Sequence, residues 1–396
     1  MNITVQKYGG SSLSNIQKIK TVAGKIADRV KNNEKLVIVV SAMGGTTNEL
    51  EDLAREITKS PNPREMDMLV TTGEQVSASL MAMAMIEQGV DAVSLNAFQA
   101  EINTNSIHSD ANIEHINSSK LKQYLDNHDV LIVTGFQGIS SEGNVTTLGR
   151  GGSDTSAVAL AGAFDAACEI YSDFPGIFTT DPRIYPEAKK LNQISYDEIL
   201  EMARLGASVL HPRAVEIAKK YDIPLYCAGT FSEEKGTYIS SEPIEQAVVT
   251  GLSVMDNQTQ VTISNLPPDH KVVNQMFKFL GDKHLNIDMI SIINLNNSLN
   301  LSFSYVEKQK DYFKKALSDF QENFKNCDIV HSHEHIKLSV VGMGMRKQGG
   351  VASRFFNALD SLPIKLVTTS EIKISCLLDK KFKEQAVQSL AREFDL

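Results

Sequence analysis

The sequence predicts a mainly parallel α/β sheet sandwiched by helices, followed by two βαββαβ units of which the first is inserted in the second. Three observations carry this. Up to about residue 243, short apolar runs of strand length alternate with stretches of helical periodicity, the pattern of a parallel sheet covered on both faces. Glycine turns follow strands and open helices at three points, as at the carboxyl edge of such a sheet. Beyond residue 243, one order of strands and helices occurs twice, with a strand left over in front.

The first strand is Ile3 to Val5. The turn Lys7-Tyr8-Gly9-Gly10-Ser11-Ser12 leads from it to a helix from about Asn15, periodic over Lys18 to Val30. No G-x-x-x-x-G-K-[ST] occurs, so this is not a Walker P-loop. Lys7 precedes the glycines, from where its ammonium can cross the turn to bridging phosphate oxygens. The unbroken apolar run Leu36 to Val40 reads as a buried strand, and the second turn, Ser41-Ala42-Met43-Gly44-Gly45-Thr46-Thr47-Asn48, follows it. Asp67 to Gln88 reads as one helix, with Met81, Met83 and Met85 expected to face the core.

Strands Ala92 to Leu95 and Val130 to Thr134 come next. The most informative segment of the chain, Thr147 to Ala157 (T-L-G-R-G-G-S-D-T-S-A), is expected to leave the second of these strands and enter a helical pattern up to Ala167. Gly149, Gly151 and Gly152 open backbone N–H groups to an anion, and the helix adds its positive end. Arg150 can grip a carboxylate with two parallel hydrogen bonds, which a lysine cannot. Strand Cys168 to Ser172, helices Tyr196 to Leu205 and Pro212 to Lys220, and strand Pro224 to Cys227 complete the first part, and Ser240 to Pro243 reads as a linker.

The first repeat runs strand Val261 to Leu266, helix His270 to Lys283, strands Ile287 to Ile292 and Leu299 to Val306, helix Tyr312 to Phe324 and strand Asp328 to His331. From Ile336 the order begins again and stops after a helix, one strand short. Ala247 to Val254 is the spare strand. Placing it in the second unit gives the domains 1–242, 257–333, and 247–256 with 334–396.

Composition sets limits. A chain of 396 residues, 42% hydrophobic and 22% charged, can build large cores in two or three domains. A net charge of −9 excludes nucleic acid as an expected partner, and no apolar run has the length of a membrane span. With no signal peptide before the first strand, a cytoplasmic location is expected. The cysteines Cys168, Cys227, Cys327 and Cys376 form no C-x-x-C pair and are expected to be buried, reduced thiols. His331, His333 and His335 alternate at strand spacing, which could place three imidazoles on one face, but the segment also reads as a polar connection and no metal site is assigned.

Taken in order, V-Q-K-Y-G-G-S-S, V-V-S-A-M-G-G-T-T-N, G-E-Q-V-S-A, G-F-Q-G, T-L-G-R-G-G-S-D-T-S-A, Y-S-D-F-P-G-I-F-T-T-D-P-R-I, G-A-S-V-L-H-P-R-A-V, V-G-M-G-M and T-T-S-E-I-K-I-S resemble the aspartate kinases of the amino acid kinase superfamily. The resemblance implies an amino acid kinase domain followed by two nested ACT domains. It implies an ATP:L-aspartate 4-phosphotransferase that uses Mg-ATP and makes 4-phospho-L-aspartate at the entry to lysine, threonine and methionine synthesis. It further implies control by lysine, threonine or both, and a homodimer or higher oligomer through the ACT domains. An acetylglutamate or glutamate 5-kinase, or an inert amino acid sensor, are the alternatives. The tandem ACT tail and the G-R-G-G-S-D set speak against the first, and intact Lys7, Glu74 and Arg150 against the second.

Residue by residue, the resemblance gives Lys7, Gly10, Ser41 and Asp154 the phosphoryl-transfer step, with Asp154 orienting Lys7. Thr47, Glu74, Arg150 and Ser153 fall to aspartate. Lys7, Tyr8, Gly9, Gly10, Ser172, Asp173, Phe178, Arg183, Ser208 and Val209 fall to the nucleotide, with Ser208 standing where many relatives have lysine. Asn286 and Asp288 fall to the effector, although Ile292 and Ile293 replace a Gln-Asn pair common in relatives. No general base is required, because the acceptor carboxylate is already ionised at neutral pH.

Overall fold

A computed structural model describes residues 3–206, 210–241, 247–295, 298–324 and 326–396. Two compact units divide the chain. Reading from the N-terminus, the elements of the first are β1 (Ile3–Tyr8), α1 (Ile16–Val30), β2 (Lys35–Val40), α2 (Thr46–Ile57), α3 (Pro63–Val70), α4 (Thr72–Glu87), β3 (Ala92–Leu95), β4 (Ile102–Thr104), β5 (Ile113–Ile116), α5 (Ser118–Asn127), β6 (Val130–Thr134), β7 (Gln137–Ser140), β8 (Val145–Thr147), α6 (Gly152–Phe164), β9 (Ala167–Ser172), β10 (Gln193–Ser195), α7 (Tyr196–Arg204), α8 (Pro212–Tyr221), β11 (Leu225–Gly229) and β12 (Thr237–Ser240).

Among the described residues the main sheet has the order β10-β12-β11-β9-β1-β2-β6-β3, parallel except for the β11–β12 pair. From Leu36 to Val40, β2 is completely buried, which is why its sequence is an unbroken apolar run rather than an alternation. Leu36, Ile38 and Val40 pack with Ile19, Val22 and Ile26 of α1 and Met81 and Met85 of α4. Met83, by contrast, is 63% exposed, because a step of two residues on a helix crosses to the far side.

Three local expectations are corrected. The helix expected over Asp67 to Gln88 is two helices, parting at Thr71, which closes α3 by donating its N–H to Asp67 O and lets α4 begin at Thr72. A second sheet of order β5-β4-β7-β8 was not anticipated, its strands being too short for periodicity to register. As a result, the third glycine turn leaves the β7–β8 hairpin and not β6.

The second unit contains β13 (Gly251–Leu266), α9 (His270–Asp282), β14 (Asp288–Leu295), β15 (Ser298–Val306), α10 (Lys310–Asn323), β16 (Asp328–Val341), α11 (Val351–Ala358), β17 (Leu366–Thr369), β18 (Lys373–Asp379) and α12 (Lys383–Phe394). Its antiparallel sheet has the order β14-β15-β13-β16-β18-β17. The spare strand and the first strand of the first repeat are one continuous β13, and the last strand of one repeat and the first of the next are one continuous β16. These two pair from Gly251↔Val341 to Ser264↔Asp328, with register shifts between Met255 and Gln260. The front of β13 therefore serves the half containing β18, and its rear the half containing β15.

Phe178–Lys189, counted from sequence with residues 1–242, packs in the second unit instead. The physical reason is apolar: Tyr185 is buried among Val249, Leu338 and Phe355, and Leu252 N–H bonds to Thr179 O at 2.7 Å. The expected linker ends partly outside the described residues, at Glu242 and Pro243. All four cysteines are buried and unpaired. No helix is long and apolar enough to cross a membrane among the described residues.

Candidate active site and regulatory residues

Strand β1 delivers Lys7 to the carboxyl end of the main sheet, between Val39 of β2 and Ile170 of β9. Gly10 sits where the first two glycine turns touch. A Cβ there would stand 2.7 Å from the carbonyl oxygen of Ala42, while Gly44 N–H donates to Gly10 O at 2.9 Å. Tyr8 brings only its backbone to the turn, its carbonyl accepting from Ser41 N–H at 3.2 Å. The Tyr8 ring is buried and stacked on Tyr171 at 5.0 Å, so its side chain belongs to the core and not to the nucleotide.

The third turn crosses this one. Gly151 has φ +69°, and a Cβ on it would lie 2.3 Å from the His211 side chain, so both backbone and space demand glycine. The first bond into α6 runs from Thr155 N–H to Gly151 O at 3.1 Å, leaving the amides of Ser153 and Asp154 at the open, positive end of the helix. Asp154 Oδ1 lies 2.6 Å from Lys7 Nζ, with both side chains largely buried. Arg150 is exposed and has no ion pair or hydrogen bond with any described residue.

Glu74, in the first turn of α4, is 3% exposed. Its Oε1 accepts from Ala42 N–H at 3.1 Å, whereas Oε2 is buried without a partner. Burial pushes the carboxyl up to about 7, against the lowering effect of the Ala42 amide. One cavity of about 480 Å³ is lined by all eight residues expected for phosphoryl transfer and aspartate: Lys7, Gly10, Ser41, Thr47, Glu74, Arg150, Ser153 and Asp154. A buried carboxylate with an unused oxygen and an uncommitted guanidinium on one cavity can hold a zwitterion by both ends.

Asp67, which sequence reasoning missed, lines the same cavity and is 1% exposed. It accepts from Thr147 Oγ1 at 2.7 Å and from Ser109 N–H, and pairs with His108 Nδ1 at 2.7 Å. It thereby fixes the residue that enters the third turn. An acidic residue in the apolar stretch E-M-D-M-L-V was the available signal. Phe136, in the G-F-Q-G segment, also lines the cavity and holds φ +69°, a conformation rare for an aromatic residue and common at functional walls.

The residues expected for the nucleoside divide. Ser172 ends β9, its Oγ accepting from Phe174 N–H at 3.2 Å, with Asp173 exposed next to it. Phe178 and Arg183 belong to the segment packed in the second unit, where the Arg183 guanidinium engages Asp181 at 2.7 Å. Ser208 and Val209 lie outside the described residues.

In the second unit Asn286 and Asp288 are both exposed, but the Asp288 carboxylate is already engaged. It forms an ion pair with Lys337, whose side chain is 6% exposed, and its Oδ1 accepts from Met289 N–H at 2.8 Å. Among the described residues no three His, Cys, Asp or Glu side chains gather as a metal site. The histidine alternation fails because Glu334 adopts φ +61°. His331 and His333 stack, while His335 is buried 3.0 Å from Asp379.

Residues 2–229 match the family model described as the amino acid kinase family, and residues 338–394 that of the ACT domain. The aspartokinase of Geobacillus stearothermophilus is 44% identical over 100% of this chain and 98% of its own length. Among solved structures, E. coli aspartokinase III in complex with lysine and aspartate, in its T-state, matches with a TM-score of 0.76 at 25% identity over 99% of both chains. The same protein with aspartate and ADP, in its R-state, matches with a TM-score of 0.84 at 24% identity over 100% of both chains.

Proposed function

We propose, from the premise that this chain belongs to the aspartokinases of the amino acid kinase family, a division of labour among its residues in the ATP:L-aspartate 4-phosphotransferase reaction. The observation that carries it is the buried, unpartnered Oε2 of Glu74 on the same cavity as the uncommitted Arg150. Glu74 takes the ammonium of aspartate and Arg150 a carboxylate, with Thr47 and Ser153 supplying hydroxyls. The accepting carboxylate needs no base. Lys7 neutralises charge on the moving phosphoryl group, and Asp154 holds its ammonium in place. The first turn, with the Gly10 amide and Gly9 beside it, and the Ser172–Asp173 segment hold ATP.

A Mg2+ would be carried mainly by the ATP phosphates, where it would supply further neutralisation of phosphate charge. The product, 4-phospho-L-aspartate, opens the synthesis of lysine, threonine and methionine, and the second unit provides feedback control by lysine, threonine or both. Support comes from the E. coli relative crystallised with lysine and aspartate. An effector ammonium that seeks Asp288 has to displace Lys337 first. Association through the second unit is supported by its edge strand β14, which exposes Ile290, Ile292 and Ile293.

The test is ADP formation with aspartate, N-acetylglutamate or glutamate as acceptor, with lysine and threonine titrated separately and together. Turnover with aspartate alone, reduced by one or both amino acids, is the expected result. Turnover with another acceptor, or none, overturns the proposal.

A further inference from the structure

The carboxyl ends of β11, β9 and β1 lie side by side in that order, and one residue ties all three. Thr230 directly follows β11. Its N–H donates to Ser172 O, at the end of β9, at 2.8 Å. Its Oγ1 lies 2.6 Å from Ser12 Oγ, in the turn that β1 feeds, so that one hydroxyl donates to the other. Its carbonyl accepts from Lys25 Nζ of α1 at 3.0 Å. Ser12 is 0% and Thr230 2% exposed, so water is no alternative partner for either hydroxyl. Each alone would be a buried, unsatisfied polar group. Ser12 N–H is in turn held by Gly9 O at 3.0 Å, which couples the hydroxyl pair to the glycine backbone itself.

The geometry points to Thr230 as a positioning residue for ATP. Through Ser12 it fixes the Gly9–Gly10 turn, and through Ser172 it fixes the start of the Ser172–Asp173 segment. One residue, its backbone held by Ser172 and its hydroxyl by Ser12, thus sets the spacing between the groups that receive phosphates and those that receive the nucleoside. This rests on the assignment of those two segments to ATP made above. Neither Ser12 nor Thr230 lines the cavity of Glu74 and Arg150, so the effect belongs to the nucleotide and not to aspartate.

Thr230→Val keeps the shape and removes the hydroxyl. ADP affinity, measured by calorimetry without aspartate, should fall roughly tenfold, the scale of one lost buried hydrogen bond. KM for ATP should rise in parallel while KM for aspartate stays within about twofold. Thr230→Ser should restore both. Adding Ser12→Ala to Thr230→Val removes the orphaned hydroxyl, so thermal stability should recover while ADP affinity stays low. If Thr230→Val does not fold, Ser12→Ala interrogates the same bond. ADP affinity unchanged in Thr230→Val, or recovered together with stability in the double variant, overturns the inference alone. A wild type that binds no ADP overturns both the inference and the assignment beneath it.

Discussion

Lys7 Nζ stands 2.6 Å from Asp154 Oδ1, an ion pair that joins the end of β1 to the first turn of α6. An ammonium so held needs no rearrangement when charge develops on a transferring phosphoryl group. Lys7→Ala should lower kcat by several orders of magnitude with the fold intact, because the interaction is strongest in the transition state. Retention of about a tenth of the wild-type rate would remove Lys7 from the mechanism.

Arg150 has no partner among the described residues, so its guanidinium is free for substrate. Arg150→Lys keeps the charge but loses the two-pronged geometry, and should raise KM for aspartate well above any change for ATP. Measuring both constants decides the matter, and a change confined to ATP would mean that the two substrates occupy each other's turns.

Glu74 titrates at about 7 because it is buried. An ammonium binds its ionised form, so kcat/KM for aspartate should climb about tenfold between about pH 6 and pH 8 and then level. A flat profile would take the substrate ammonium away from Glu74.

The same carboxyl has a stability signature. Its folded pKa of about 7 lies above the ordinary 4.5, so its contribution to stability is fully present below pH 4.5 and is lost as pH rises through 7. Against the wild type, Glu74→Gln should gain up to about 3 kcal/mol on moving from pH 4 to pH 8, measured by urea unfolding without ligands. No gain with pH would place the orphaned Oε2 in water.

Asp288→Ala leaves the Lys337 ammonium buried without its anion. As Asp288 itself is half exposed, the cost should be about 1 to 3 kcal/mol rather than the full penalty of a buried pair. Asp288→Ala/Lys337→Met should recover most of it. Denaturant midpoints of the two variants provide the comparison, and equal midpoints would show that the pair carries no such energy.

The parts legible in sequence were those with local causes. Glycine turns announce themselves because the glycines stand in the sequence whatever imposes them, Ala42 at Gly10 and His211 at Gly151, and Lys7 and Arg150 adjoin such turns while Glu74 directly follows Gly73. Thr230 was not legible, and the apolar neighbours of Asp67 marked its position without its role, since an ordinary threonine or aspartate acquires its role only from a partner brought by the fold, Ser12 in one case and Thr147 in the other. The ion pair of Asp288 was not legible for the same reason, its Lys337 arriving on another strand. The histidine alternation misled because one left-handed residue, Glu334, shifts the phase of everything after it.

Strands β13 and β16 each run the length of the six-stranded sheet and serve both halves. The half containing β18 can complete its sheet only by closing a chain loop around the inserted half, and the two share both long strands, so they are expected to form and melt as one cooperative unit, with the slow, non-local kinetics of a high contact order. Cutting the chain between the halves would not release two domains; it would leave two unpaired edges.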